Sequence, residues 1–268
     1  MRFKSHLLRD LPKAFRRARR RAKFVWRNRD TNALLDTLRV SVLHGLGLRR
    51  RVRFEIAGHP VILRTGTPDL EVARSCLTGE FDEALACIQD PRGLFIDAGA
   101  YIGTAALAFA ARFPESEIIC LEPSPDNYSV AVANTAHLPN VRVLNVALAE
   151  RAGESTLRAR ATGEWGHTLV ANPADCATSS VVSSVSTVGV EDLLAQSARH
   201  RVELLKLDIE GGEFALFNEP TDWLAHTHVI VAELHDKIVP GCEDVFLRAN
   251  AGRTVWRRPG VEKFISVA

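Results

Sequence analysis

From residue 93 onward the sequence predicts an α/β domain with a doubly wound, mostly parallel sheet. Three observations carry that expectation. Short apolar runs at 94–97, 117–122, 141–145, 202–208 and 229–234 have the length of buried strands. Helical segments at 104–112 and 126–137 separate the first three of them. Alternation of this kind is the pattern of a parallel sheet covered by helices on both faces.

The elements that precede this domain divide at about residues 49 and 92. Residues 1–49 form a basic helical extension. Within it, residues 11–27 repeat Leu11, Phe15, Ala18, Ala22 and Trp26 at three- and four-residue steps among arginines, which predicts an amphipathic helix with a narrow apolar stripe. Such a helix either packs one side on the body, contacts an anionic membrane surface, or meets nucleic acid through non-specific phosphate contacts. Residues 50–92 form a preface: 51–64 alternate apolar and polar positions around Gly58-His59-Pro60, predicting two strands and a turn, and 70–88 read as one or two helices. Residues 93–268 make the main domain. Within it, 153–190 are rich in Gly, Ser, Thr and Ala and predict an insertion of loops and edge strands.

Charge is unevenly distributed. The net charge of +2 combines twelve basic and two acidic side chains in residues 1–30 with 22 basic and 30 acidic ones in the remainder. A body of net −8 argues against a broad phosphate-binding surface, so nucleic acid is not the expected partner. Cys76, Cys87, Cys120, Cys176 and Cys242 are widely spaced and form no metal or disulfide pattern, with Cys120 reading as a small buried hydrophobe. No apolar run is long enough to span a bilayer, and the N-terminus lacks the apolar core of a secretory signal. The expected location is the cytoplasm, at the inner membrane surface if the basic helix engages lipid.

Ligands of open α/β sheets bind beyond the carboxyl ends of the strands. Reading those ends gives Asp97, Glu122, Asn145, Asp208 and Glu233. Asp97-Ala98-Gly99-Ala100-Tyr101-Ile102-Gly103 leads into a helix, whose N-terminus offers free N–H groups and whose glycines allow close backbone approach. Glu122-Pro123 ends the next strand, where a carboxylate accepts ribose hydroxyls, and the pair of features implies an adenosine-type cofactor. Side chains at Ala100, Tyr101 and Ile102 occupy the space a dinucleotide pyrophosphate needs, and Asp97 suits an ammonium better than a phosphate. S-adenosylmethionine therefore fits better than NAD. Farther on, Lys206 and Asp208 share one face of their strand. Asp208 and Glu210 serve the acceptor or cap the helix that follows, and Lys206 neutralises a buried carboxylate. Glu233 and His235 fall on one side of the last run, with His235 the candidate general base. Asp208, Glu233 and His235 alternatively hold a divalent ion.

The chain resembles the FkbM family of methyltransferases, within the class I S-adenosylmethionine-dependent fold. The matching stretches are RTGTPDLEVARSCLTGEFDEAL at 64–85, FIDAGAYIGTAAL at 95–107, CLEPSPDNYSVAVAN at 120–134, NVALAERAGESTL at 145–157, VSTVGVEDLL at 185–194 and LLKLDIEGGEFALF at 204–217. The resemblance implies a Rossmann-like sheet of seven strands. It implies that Asp97, Gly99, Ala100, Tyr101 and Gly103 line the methionine end of the cofactor, that Glu122 with Pro123 binds the ribose, and that Asn145 and Ala147 lie by the adenine. Tyr101 departs from the family, which usually has a small polar residue there. The implied reaction is O-methylation of a hydroxyl on a sugar, glycan or polyketide-type acceptor, with Asp208, Glu233 and His235 catalytic. An RNA methyltransferase and a non-catalytic cofactor-binding protein are the alternatives. Residues 158–183 are expected to form much of the acceptor wall, with Trp165 and His167 exposed to it.

Overall fold

The computed structural model describes residues 48–160, 163–174, 179–219, 221–257 and 263–268, and isolated positions between 35 and 43. The basic helix predicted at 11–27 lies outside the described residues.

The preface forms as expected, with its turn one step earlier. Strands β1 (Arg51–Ile56) and β2 (His59–Arg64) pair antiparallel, with Ile56 opposite His59. The two-residue loop between them is Ala57-Gly58, both at positive φ, the backbone that matches the twist of a hairpin. His59 and Pro60 belong to the second strand. Val52, Phe54 and Ile56 alternate inward and pack with Tyr101, Ile102, Leu107 and Val130 of the main domain. Helices α1 (Asp69–Leu77) and α2 (Asp82–Leu85) complete the preface.

The main domain then runs β3 (Leu94–Ala98), α3 (Thr104–Arg112), β4 (Glu117–Leu121), α4 (Pro125–Thr135), β5 (Val141–Leu144), β6 (Ala147–Leu148), β7 (Gly153–Ala159), β8 (His167–Thr168), β9 (Ser180–Val188), α5 (Val190–Gln196), β10 (Val202–Leu207), α6 (Glu213–Asn218), a 3-10 turn (Asp222–His226), β11 (Thr227–Glu233), α7 (Cys242–Ala249), β12 (Thr254–Arg257) and β13 (Lys263–Val267). All five predicted strands are present. They lie in one seven-stranded sheet of order β12-β13-β11-β10-β3-β4-β5, in which only β13 runs against its neighbours.

Both faces of this sheet are buried. Leu94, Ile96, Leu205, Leu207, Ile230 and Ala232 pack on one side against residues of α5, α6 and α7. Phe95, Ile118, Cys120, Leu204, Val229 and Val231 pack on the other against α2 and α3. Cys120 is fully buried, as its apolar surroundings predict. The chain winds outward from β3 to β5, then returns to β10 beside β3 and winds the other way. That reversal is a topological switch point, where the loops of β3 and β10 part and leave a crevice at their carboxyl ends.

The predicted insertion is more regular than loops and edge strands: it is a second sheet of four strands, β6-β9-β7-β8, closed around Ala147, Leu157, Val185 and Leu169. The β7–β9 pairing is long-range in sequence, so no local turn signal announces it. Among the described residues, no helix is long and apolar enough to cross a membrane.

Candidate functional site

A cavity of 610 Å³ opens at the switch point, within the size range of small-molecule sites. It has two ends.

At the first end, the β3–α3 loop is forced into shape by its glycine. Gly99 has φ +76°, and a Cβ there would sit 1.9 Å from the carbonyl oxygen of Asp208. Only hydrogen allows β3 and β10 to part so closely. The N–H groups of Gly99 and Ala100 donate to the Leu121 carbonyl at 3.0 and 2.9 Å, and that of Gly103 to Ala100. The Tyr101 N–H donates to Glu122 Oε2 at 2.8 Å. Three N–H groups of this loop, those of Gly99, Ala100 and Tyr101, are therefore spent holding it to the end of β4. Glu122 is their hub: its Oε1 accepts from the Ser124 N–H at 2.9 Å and from Asn127 Nδ2 at 3.3 Å. Burial pushes the Glu122 carboxyl up to about 7, against the pull of those donors.

Gly99, Ala100, Tyr101, Glu122, Pro123 and Ala147 line the cavity. Asn145 stands outside that lining and donates to the Glu122 and Pro123 carbonyls at 2.8 and 3.0 Å, fastening the loop from behind. Gly103 caps α3 with φ +78°. Asp97, expected to receive an ammonium, is fully buried beneath the cavity. Lys206 Nζ lies 3.1 Å from its Oδ1 and donates to the Gly99 carbonyl at 2.7 Å. Neither Asp97 oxygen has a well-directed hydrogen-bond donor among the described residues, so this contact is an ion pair by distance alone. Burial works against the Lys206 ammonium, but Asp97 and Asp208 outweigh it and hold the lysine above its ordinary value.

Tyr101 has its own role. Its phenol donates to Asp69 Oδ1 at 2.5 Å, and Asp69, fully buried, also accepts from the Arg64 N–H, Nε and Nη2 at 2.7 to 3.0 Å. Arg64 lies 5.3 Å from the Tyr101 ring centroid. The residue that departs from the family pattern thus bolts the preface to the cofactor loop.

At the second end, charge replaces backbone. Alternation puts Asp97, Lys206, Asp208, Glu233 and Lys263 on one face of the sheet. Asp208, Glu210, Glu233 and His235 line the cavity. His235 Nδ1 is 3.1 Å from Glu213 Oε1. Glu213, fully buried, also accepts the Ile209 and Gly211 N–H groups at 2.9 and 2.8 Å. The His235 Nε2 faces Glu210 Oε2 at 3.6 Å, Asp208 Oδ1 at 3.7 Å and Glu233 Oε1 at 3.9 Å. Burial would lower this imidazole, but Glu213, Asp208 and Glu210 raise it to about 10. Ringed by carboxylates, the imidazole is drawn toward its protonated form, a shift that its position at the end of the strand did not announce. Asp208 stays below the ordinary carboxylate value, since Lys206, Lys263 and His235 overcome its burial.

The small sheet holds this end in place. Arg160 pairs with Glu210, and Thr168 Oγ1 donates to the Glu210 carbonyl at 2.6 Å. Trp165 and His167 line the cavity, but their loop is tied to the cofactor end, where Asn127 Nδ2 donates to the Glu164 carbonyl at 2.9 Å. Asn127, Asp69, Arg160 and Glu213 were not singled out from the sequence. Asp69, Asn127 and Glu213 nevertheless lie inside the stretches that resemble the family, and Arg160 inside the expected acceptor wall, but no local signal gave any of them a role.

The sheet order with its one reversed strand, the glycine turn at the switch point and the acid ending β4 define a class I, Rossmann-like methyltransferase. Residues 97–247, more than half of the chain, match the methyltransferase FkbM domain, and the chain belongs to that family. It is an S-adenosylmethionine-dependent methyltransferase. Solved structures similar to it include an rRNA methylase from Streptococcus thermophilus, at 10% identity and TM-score 0.38, covering 70% of this chain and 91% of that one. A precorrin-6y C5,15-methyltransferase from Geobacter metallireducens has 14% identity and TM-score 0.41, covering 72% and 87%. An O-methyltransferase from Bacillus cereus in complex with S-adenosylhomocysteine has 12% identity and TM-score 0.39, covering 74% and 81%. No curated protein matches the chain.

The residues present fit the cofactor: a cavity of sufficient size, a loop pressed against β10 that only glycine permits, and a buried carboxylate in the wall. Gly99, Ala100 and Tyr101 with Glu122, Pro123 and Ala147 are the candidates to hold it.

Proposed function

We propose that this chain methylates a hydroxyl oxygen on a sugar, glycan or polyketide-type acceptor. The observation that carries the reading is the ring of carboxylates, Asp208, Glu210 and Glu233, around His235 Nε2 at the cavity end away from Glu122. An alcohol must lose its proton as its oxygen is alkylated, and a carboxylate within hydrogen-bond reach is the group that takes it. S-adenosylmethionine, when bound, supplies a methyl carbon activated by its sulfonium.

The chain's own work is alignment and proton transfer. The Glu122 hub fixes the loop beneath the cofactor. Glu213 fixes the His235 ring, so that Nε2 is presented to the acceptor oxygen. Asp208 and Glu233 orient the hydroxyl, and the Glu210 carboxylate, held by Arg160, receives its proton. Acids in this number disfavour a phosphate-bearing acceptor, which separates the reading from RNA methylation.

The test is a screen of the purified chain with S-adenosylmethionine against neutral glycans, polyketide alcohols and RNA. S-adenosylhomocysteine should appear only with hydroxyl acceptors, together with a product one methyl group heavier. Turnover with RNA alone, or cofactor binding with no turnover on any acceptor, would overturn the proposal.

A further inference from the structure

We infer that Asp208, Glu233 and His235 form a divalent cation site at the acceptor end of the cavity. This deepens the methyl-transfer reading and rests on it for its purpose, though not for its geometry.

The donors come from the ends of two adjacent parallel strands, and one donor atom from each residue lies within 4.8 Å of the others. Ligand bonds of about 2.1 Å set neighbouring donors about 3.0 Å apart and opposite donors about 4.2 Å apart. The 3.7 and 3.9 Å separations from His235 Nε2 to Asp208 and Glu233 fall between these values. They are too long for hydrogen bonds and suited to an ion between the atoms. All three side chains are reached from the cavity, with Asp208 and Glu233 about one-third exposed.

A second observation lies behind the three ligands. His235 is anchored through Nδ1 by Glu213, a fully buried carboxylate that takes no part in the ring. A ligating imidazole is held in this way, its far nitrogen bound to a carboxylate so that the near one is aimed at the ion.

The third is charge. Asp97, Glu80, Asp208, Glu210, Glu213 and Glu233 are joined through ion pairs to Lys206, Lys263, Arg160 and His235. Even with the exposed Lys237 at the cavity rim included, these six acids outnumber the lysines and arginine by two. A dication cancels that surplus. Three protein ligands leave open positions, which suits an acceptor offering a hydroxyl with a second oxygen beside it, as a sugar diol does. A coordinated hydroxyl is acidified, and its proton passes to Glu210.

The full chain, stripped with EDTA, is to be titrated with Mn²⁺ alone, by calorimetry and by loss of the free-ion paramagnetic resonance signal. Binding of S-adenosylhomocysteine is measured on the same samples. One Mn²⁺ per chain is expected, weakened at least tenfold in both Asp208→Asn and Glu233→Gln and unchanged in Glu154→Gln, an exposed acid of β7. His235→Gln should weaken it as well. Absence of Mn²⁺ binding, or equal binding by the Asp208 and Glu233 variants, overturns the site. If S-adenosylhomocysteine still binds in that case, the methyltransferase reading stands without the metal; if it does not, both fall.

Discussion

The two ends of the cavity are built from different materials. At the cofactor end, shape comes from the backbone: a glycine at positive φ against the Asp208 carbonyl, and N–H groups gathered on Glu122 and the Leu121 carbonyl. At the acceptor end, shape comes from ionised side chains of two segments, 208–213 and 233–235, with His235 between Asp208, Glu210, Glu213 and Glu233. Backbone geometry serves a ligand that is always the same. A side-chain cluster can be retuned by substitution while the scaffold stays fixed, so the acceptor end is where members of such a fold are free to differ.

The contrast predicts that damage at one end should spread and damage at the other should stay local. The largest effect is expected from Gly99→Ala. A methyl group 1.9 Å from a backbone oxygen cannot be relieved by a rotamer change, so thermal unfolding should show a loss of about 3 kcal/mol or more, with cofactor binding abolished. A well-folded Gly99→Ala protein that still bound S-adenosylhomocysteine would show that the loop is not set by its backbone.

Asp208→Asn comes next and should separate the ends. Turnover is expected to drop by on the order of 100-fold, while S-adenosylhomocysteine affinity stays within about threefold in calorimetry. Parallel losses of both would mean that the two ends are not independent.

Tyr101→Phe probes the join between preface and loop. It deletes the 2.5 Å bond to Asp69 but leaves the Arg64 contacts, so a loss of about 1 to 2 kcal/mol in stability is expected, with cofactor affinity lowered by up to about tenfold. An unchanged melting temperature would remove the bolt.

The smallest effect is a pH dependence at the cofactor end. The Glu122 carboxyl is pushed up to about 7, and its ionised form is the one that accepts the Tyr101 and Ser124 N–H groups. Because the binding-competent form is lost as pH falls through that value, cofactor affinity should weaken from pH 8 to pH 6, by up to about tenfold. Glu122→Gln should flatten the curve. A wild-type affinity constant across this range would show that Glu122 is ionised well below 7.

Much of the cofactor end could be read along the chain because it is local. Asp97, Gly99 and Gly103 lie within seven residues, and Glu122 ends the very next strand. Yet the same spacing suggested that Asp97 faces the ligand, whereas Lys206 from β10 covers it. Tyr101 read as a misfit because its partner, Asp69, lies 32 residues earlier on another element. The small sheet escaped because β7 and β9 are joined by a long connection, and pairing across it leaves no periodic trace.

What the sequence determined by itself is the order of strands and helices, the glycine turn, and the acids that end the strands. These depend on side-chain period and on backbone freedom, both of which act between near neighbours. The tertiary structure alone decided the charge state of those acids and which of them meet. Burial and Coulomb forces act through space, so His235 was drawn toward its protonated form, Asp97 became the partner of Lys206, and Glu213 the support of the His235 ring only once β3, β10 and β11 lay side by side.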